Sequence, residues 1–434
     1  MKLRKVKAQF VGLAVVTLVL GASVFASCKA DCKPTRVYFA ERGVTVKTGI
    51  EVLRSQNFEV LEGLRVGLIT NPTGVDRNLK STIDILHAAP NVNLVALFAP
   101  EHGVRGDYHA GDDVQDAVDP ITGVKVFSLH GRYKKPTPEM LVGIDVLVYD
   151  IQDIGCRSYT YISTMGLCME AAAESGIKFV VLDRPNPLGG HKVEGGLVDE
   201  GFISFVSQYP IPYVYGLTPG EVALLLNGER MLTNGIQVDL TVVPMEGWTR
   251  NMLYEDTGLQ WISASPHIPH PISALMYPVS GILGELGYIS IGIGYLTPFE
   301  VFAAYWIDAF DLAERMNALN LPGLHFRPKF FKPFYAISQG DVIQGVQVHI
   351  MDFNAANLSF VQFYVMQELA ILYPDRKVFD HANERRFRMF DQVSGSDYVR
   401  KNFSKNHRVD DIRDFWTRDV EPFRQMSKQY WLYQ

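Results

Sequence analysis

Cysteine is scarce in this chain: its 434 residues hold four, Cys28, Cys32, Cys156 and Cys168. Four cannot staple a protein of this length, so no disulfide framework carries the fold. Their spacing gives no CxxC zinc pair, and Cys156 and Cys168 read as small buried hydrophobes. Nucleotide fingerprints are missing too. Gly292-Ile293-Gly294 lacks a third glycine and follows no first strand, and no GxxxxGKS/T phosphate loop occurs. Nor does a GxSxG elbow. These absences exclude the usual dehydrogenase, kinase and serine-hydrolase designs. Positive charge is not in surplus: the formal net charge of −6 offers no field for nucleic acid. No internal repeat, low-complexity tract or long linker interrupts the chain.

What is present is globular. Hydrophobic residues make up 47% and charged residues 20%, an ordinary balance, and the length calls for two or three domains. Aromatics, at 12%, suit both a core and a sugar-binding cleft. The basic stretch Met1–Lys7 and the apolar run Phe10–Phe25 read as a signal peptide over residues 1–27. Two cleavage readings stay open, an ordinary site at Val24-Phe25-Ala26 and a loose lipobox that would acylate Cys28. Either exports the protein, as a periplasmic or outer-membrane lipoprotein. Residues 28–45 would be a tether.

From Gly63 onward, apolar runs alternate with helical patterns. Strands are expected at Arg65–Thr70, Asn93–Phe98, Val124–Leu129, Asp145–Asp150 and Lys178–Asp183, with helices at Ser81–Ala89, Pro138–Gly143 and Tyr161–Ser175. Such runs require a parallel sheet covered on both faces. After about Gly247 the rhythm changes: Pro-, Gly- and aromatic-rich loops over Trp261–Tyr295, an amphipathic helix over Pro298–Leu319, a strand over Val342–Ile350, a helix over Ala355–Leu372 and a helical tail over Asn383–Tyr433. The fold class is therefore α/β, with a parallel-sheet domain over 46–247 and an auxiliary α+β domain over 248–434 that completes the cleft.

Ligands bind such sheets at the carboxyl ends of the strands. There the chain carries Asn71, Glu101-His102, Asp150–Asp153 and Asp183–Asn186. Pro100 ends a strand, and Gly103 and Gly106 allow a tight loop presenting Glu101, His102 and Arg105. A partly desolvated glutamate there could act as a general acid; the plainer alternative is a surface loop in which Glu and Arg pair. Asp107, His109, Asp112 and Asp113 follow at irregular spacing, a weak metal signal. Asp150, Gln152, Asp153, Arg157, Tyr159 and Tyr161 supply donors and acceptors on several sides of a cavity, as a polyhydroxylated ligand needs, or else form a capping loop with an internal Asp–Arg pair. Asp183, Arg184 and Asn186, with Glu194 beyond, sit on a backbone fixed by Pro185 and Pro187, which reads equally as a stiff crossover turn.

Together Asn71-Pro72-Thr73-Gly74, Pro100-Glu101-His102-Gly103, Ser128-Leu129-His130-Gly131, Asp150-Ile151-Gln152-Asp153 with Tyr159-Thr160-Tyr161, and Leu182-Asp183-Arg184-Pro185-Asn186-Pro187 resemble the NamZ-type exo-β-N-acetylmuramidases. The similarity continues through Gly216-Leu217-Thr218, Gly247-Trp248, Ser265-Pro266 and Pro298-Phe299. It implies a Rossmann-like catalytic domain, release of terminal N-acetylmuramic acid or a related amino sugar from peptidoglycan fragments, no metal, no cofactor and Glu101 as the catalytic acid. Glu285, Asp150 and Asp153 are candidates for the far side of the ring, alongside the sugar's own acetamido group. The implied partner is a peptidoglycan-derived saccharide, with membrane contact only through a lipid on Cys28. The chain departs from the family over Glu285–Tyr295: Ile291 stands where a Glu is usual and Ile293 where an Arg is usual. Arg105, Arg157 and Arg184 are then the candidates to pair a lactyl carboxylate; failing them, Tyr288 and Tyr295 would offer stacking faces. A non-catalytic envelope protein that kept the fold is the alternative reading.

Overall fold

The computed structural model describes residues 45–106 and 117–434. The leader, Cys28, Cys32, all but the end of the tether, and Asp107, His109, Asp112 and Asp113 lie outside the described residues. No helix among those described is long and apolar enough to cross a membrane.

The first half runs α1 (Gly49–Ser55), β1 (Arg65–Thr70), α2 (Thr82–Ala88), β2 (Asn93–Ala99), β3 (Ala117–Val118), β4 (Lys125–Ser128), β5 (Val146–Asp150), α3 (Tyr161–Glu174), β6 (Lys178–Leu182), α4 (Pro219–Gly228) and β7 (Leu240–Val243). Its seven strands lie in the order β3-β4-β2-β1-β5-β6-β7. All neighbours pair in parallel except β3, which runs antiparallel to β4. Alternate residues explain the layering. Val146 and Val148 of β5 join α1 and α2 in the core of one face, whereas Leu147 and Tyr149 join α3 and α4 in the core of the other. With both faces covered, the strands need continuous apolar sequence, which they have. The order reverses between β1 and β5, so the loops after these two strands diverge and leave a crevice at their carboxyl ends.

The second half holds α5 (Pro271–Gly284), β8 (Val301–Ala304), α6 (Ala309–Ala318), β9 (Leu324–Phe331), β10 (Ile343–Ile350), α7 (Val361–Leu372), α8 (Glu384–Ser394), α9 (Tyr398–Asn406), α10 (Asp410–Thr417) and α11 (Val420–Ser427). Three strands form an antiparallel sheet in the order β8-β10-β9. Three expectations change here. Pro138–Gly143 is a run of three-residue turns rather than a helix, closed by Gly143 at φ +82. The Trp261–Tyr295 stretch contains α5, which its prolines and glycines disguised. Pro271 sits harmlessly in the first turn, and past the internal Pro278 the helix is braced from outside: Gln362 of α7 accepts from Leu283 N at 2.9 Å and donates to Pro278 O at 3.1 Å. The expected helix over Pro298–Leu319 is a strand followed by a shorter helix. Val301–Ala304 is buried throughout and pairs with β10, and Asp308 caps α6 only afterwards.

Buried polar ties join the halves. Glu194 accepts from Leu358 N and Ser359 N at 3.1 and 2.7 Å, just ahead of α7, where a helix start favours an anion. Leu432 N and Arg250 Nη1 both donate to Glu221, itself part of the capping box of α4. The Glu221–Arg250 pair, 2.6 Å apart, is fully buried on both sides. Removing one partner strands the other charge. Glu221→Ala is therefore expected to cost about 3–5 kcal/mol, read as a fall in the urea midpoint; an unchanged midpoint would show that Arg250 reaches water.

Candidate active site

The crevice is built from backbone first. Asn71 turns the chain after β1, its Oδ1 accepting from Thr73 N at 2.9 Å and from the Thr73 hydroxyl. Thr73 in turn accepts from Gln152 N at 2.8 Å, which locks the β1 loop to the β5 loop. Gln152 Nε2 donates to Asp153 O and Pro185 O at 2.8 and 2.6 Å, adding the β6 loop. Asn186 is likewise consumed, donating to Leu217 O and accepting from Leu188 N. Asp183 accepts from Thr218, Gly220 N and Tyr433. The side chains of Gln152, Asn186 and Asp183 are spent on positioning these loops, whereas Asn71 Nδ2 is buried with no hydrogen-bond partner among the described residues.

The three arginines proposed for an anionic ligand are committed too. Arg105 forks onto Asp119 and reaches Asp84 at 2.9 Å, not Glu101. Arg184 clamps both oxygens of Asp150, which also accepts from Thr82. Arg157 is buried and donates to Gly196 O, Ile211 O, Val393 O and the Ser207 hydroxyl, and burial lowers its pKa to about 10. Glu194 lies on the seam between the halves. Asp150 is fully buried and accepts from Arg184 and Thr82.

A second group does converge on a cavity of about 290 Å³. Its lining includes His267, Tyr277, Glu285, Ser290, Ile291, Ile293, Phe299, Ala336 and Ile337. Tyr277 stacks edge-on against Tyr159 at 5.9 Å, and Tyr159 against Tyr161 at 4.9 Å. Tyr161 donates to Ala264 O at 2.6 Å and lies within electrostatic reach of Glu101, Asn71 and Asp153. Burial lowers the pKa of His267; His102 acts in the same direction and Glu101 opposes, so both lie within electrostatic reach of this lining residue. His102 is buried at φ +76, in the left-handed region, with Gly103 following at the same φ. A non-glycine residue held there at a strand end fits a loop shaped for a site.

Two carboxyls have shifted acidity. Burial pushes Asp153 up to about 7, against hydrogen bonds from Tyr215 and Gly155 N to its Oδ2. Its buried Oδ1 has no hydrogen-bond partner among the described residues. Burial also raises Glu285, with Arg386 opposing. Glu285 thus lies in the cavity wall, Tyr159 and Tyr161 stack in series behind its Tyr277, and Glu101 and Asp153 lie within electrostatic reach of Tyr161. His267 and Tyr277 were not among the expected site residues, although His267 directly follows the motif Ser265-Pro266. Tyr288 and Tyr295 do not serve as free faces: Tyr288 is sandwiched between Trp306 and His381, and Tyr295 between Phe331 and Phe334. Among the described residues no group of three or more His, Cys, Asp or Glu is arranged to hold a metal ion.

A sugar-sized cavity with a glutamate and a tyrosine in its wall, backed by the tyrosines of a strand-end loop, suits a glycosidase. Residues 66–272 match the family described as exo-beta-N-acetylmuramidase NamZ, N-terminal, and residues 275–433 match its C-terminal counterpart. The chain belongs to the NamZ family. It is 42% identical over 388 residues to the peptidoglycan beta-N-acetylmuramidase NamZ of Bacillus subtilis strain 168, covering 89% of this chain and 91% of that one. Two crystal structures of DUF1343 family proteins from Bacteroides fragilis are similar. One has a TM-score of 0.87 and 64% identity over 90% of this chain and all of that one; the other has 0.70 and 32% over 90% and 99%.

Asp153 also makes a stability prediction. Its folded pKa of about 7 lies above the ordinary aspartate value of 3.8, so the folded chain keeps a proton the unfolded chain has lost. Ionisation then opposes folding, and this contribution makes stability fall as pH rises from about 4 to about 7. Asp153→Asn is expected to flatten that part of the melting-temperature profile. A variant profile parallel to wild type would show that Asp153 ionises freely in the folded protein.

Proposed function

We propose that this chain is an exo-acting glycoside hydrolase that releases terminal N-acetylmuramic acid, or a related amino sugar, from peptidoglycan fragments. The observation that carries the reading is the aromatic chain from the strand-end loops to a cavity with Glu285 in its wall: Tyr161 stacks on Tyr159, Tyr159 on Tyr277, and Tyr277 lines the cavity together with His267 and Glu285. At about 290 Å³ the cavity is at the small end for ligand sites, which suits one sugar residue and hence attack at a chain end. Membership of the NamZ family supports the same activity.

In this mechanism Glu101 protonates the glycosidic oxygen as the bond breaks. Glu285 is the carboxyl at the far side of the ring. Burial holds its pKa up, so it exchanges a proton near neutral pH more readily than an exposed glutamate. Asp153 is a positioning residue: from behind Tyr159, Tyr161 and Tyr277 its charge state biases those hydroxyls. The lining contains no Lys or Arg, and Arg105, Arg157 and Arg184 are all engaged, so an anionic lactyl group is accommodated at the open mouth, in water, rather than against the apolar wall of Ile291, Ile293 and Phe299. The basic and apolar leader supports action outside the cytoplasm, with Cys28 as a lipid anchor; mass spectrometry of the mature amino terminus reads this directly.

The test is Glu101→Gln on a disaccharide with a non-reducing terminal N-acetylmuramic acid. The variant should fold as wild type and lose at least about a hundredfold in kcat, the scale of a general acid. Binding by wild type without release of the sugar would instead favour a sugar-binding protein.

A further inference from the structure

The hairpin loop between β9 and β10 is built in an unusual way for a connection. Phe334 is 65% and Tyr335 48% exposed, and Leu296 beside the same segment is 74% exposed. Ala336 and Ser338 adopt φ of +66 and +59, the left-handed region that side chains avoid. The loop is nonetheless seated firmly. Phe334 N donates to Gly294 O at 2.8 Å, and Gly294 allows so close an approach that a Cβ there would collide with the backbone oxygen of Tyr335. Phe334 stacks on Tyr295 at 5.7 Å. Tyr335 stacks on His267 at 6.1 Å with ring planes 28° apart, and its hydroxyl lies 3.0 Å from His267 Nε2. Backbone strain and exposed aromatic surface both cost stability, and a loop that fixes them in place holds them for a ligand.

The position of the loop identifies that ligand. His267, Ala336 and Ile337 line the cavity, and Tyr335, half exposed and stacked on His267 just before Ala336, stands at the rim, beside the lining residue that lies within electrostatic reach of Glu101. A terminal sugar inside the cavity puts its glycosidic oxygen toward Glu101 and sends the next sugar outward across the rim. We propose that Tyr335, braced by His267 and flanked by Phe334, is the stacking platform for the leaving-group sugar, the residue on the far side of the bond being cut. The C–H face of a pyranose lies against an aromatic ring, and its hydroxyls stay in water at the edges. Because the platform contacts only the leaving group, it raises affinity for oligosaccharides without touching the released sugar. This assignment rests on the muramidase reading and adds the second subsite to it.

The experiment compares wild type, Tyr335→Ala and Tyr335→Phe on the disaccharide of N-acetylmuramic acid β-linked to N-acetylglucosamine, with free N-acetylmuramic acid as a product inhibitor. Tyr335→Ala is expected to raise KM about five- to tenfold with kcat held within about twofold, the scale of one aromatic contact. Its inhibition constant for free N-acetylmuramic acid should not move, and Tyr335→Phe should keep the wild-type KM. An unchanged KM in Tyr335→Ala overturns the platform, and so does an inhibition constant that rises in step with KM, since the ring would then contact the terminal sugar. A wild-type protein that releases nothing from the disaccharide overturns the muramidase reading itself, and the platform with it.

Discussion

The site depends on one buried ion pair. Arg184 and Asp150 lie at the ends of neighbouring strands, 4% and 0% exposed in their side chains, and share two contacts. Arg184 also donates to Val75 O, and Asp150 accepts from Thr82 at the start of α2. One pair therefore ties together the loops after β1, β5 and β6. Its cost in desolvation is repaid only because each polar atom is matched. Gln152 and Asp153 follow Asp150 directly, so the aim of the β5 loop and of the tyrosines beyond it is set at this point.

Around that anchor the chain divides the labour between its halves. The parallel sheet supplies Glu101 and the tyrosine-screened Asp153. The second half supplies the cavity wall: Glu285 at the end of α5, the Ile291–Ile293 segment and the Ala336–Ile337 loop. Such a composite site works only if the halves hold still. The ties do that with well-buried groups, among them Arg157 on Val393 O and Glu194 on Ser359 N. Tyr433, next to the carboxyl terminus, returns to Asp183 beneath the sheet's edge, which makes the helical tail part of the catalytic domain's support.

Much of this was legible in the sequence. Strand β1 falls on Arg65–Thr70 as its apolar run predicts, and β2, β4, β5 and β6 differ from expectation by a residue at their ends, whereas β7 was not expected. Polar residues at the strand ends marked the edge where the loops after β1, β5 and β6 interlock. The finer roles were not legible, because a motif shows which residues sit at the edge but not which way they turn. Arg157 and Tyr159 are two residues apart, yet one is buried on backbone carbonyls and the other joins the aromatic stack beside the cavity. Helix α5 was hidden because prolines disguise it and Gln362, which braces it at Pro278 O, is 84 residues away in sequence. Tyr335 left no signal, since its meaning comes from its contact with His267, 68 residues distant.

The central claim is that Glu101 donates the proton to the departing oxygen, and leaving-group dependence tests this most directly. Wild type and Glu101→Gln would be compared on a series of aryl β-glycosides of the same sugar with phenols of increasing acidity. A phenol acidic enough to leave unaided needs no proton, so the account predicts a large defect on poorly acidic phenols that shrinks toward wild-type rates on the most acidic. A defect of equal size across the whole series would mean that Glu101 does not act on the leaving group, and would contradict the account.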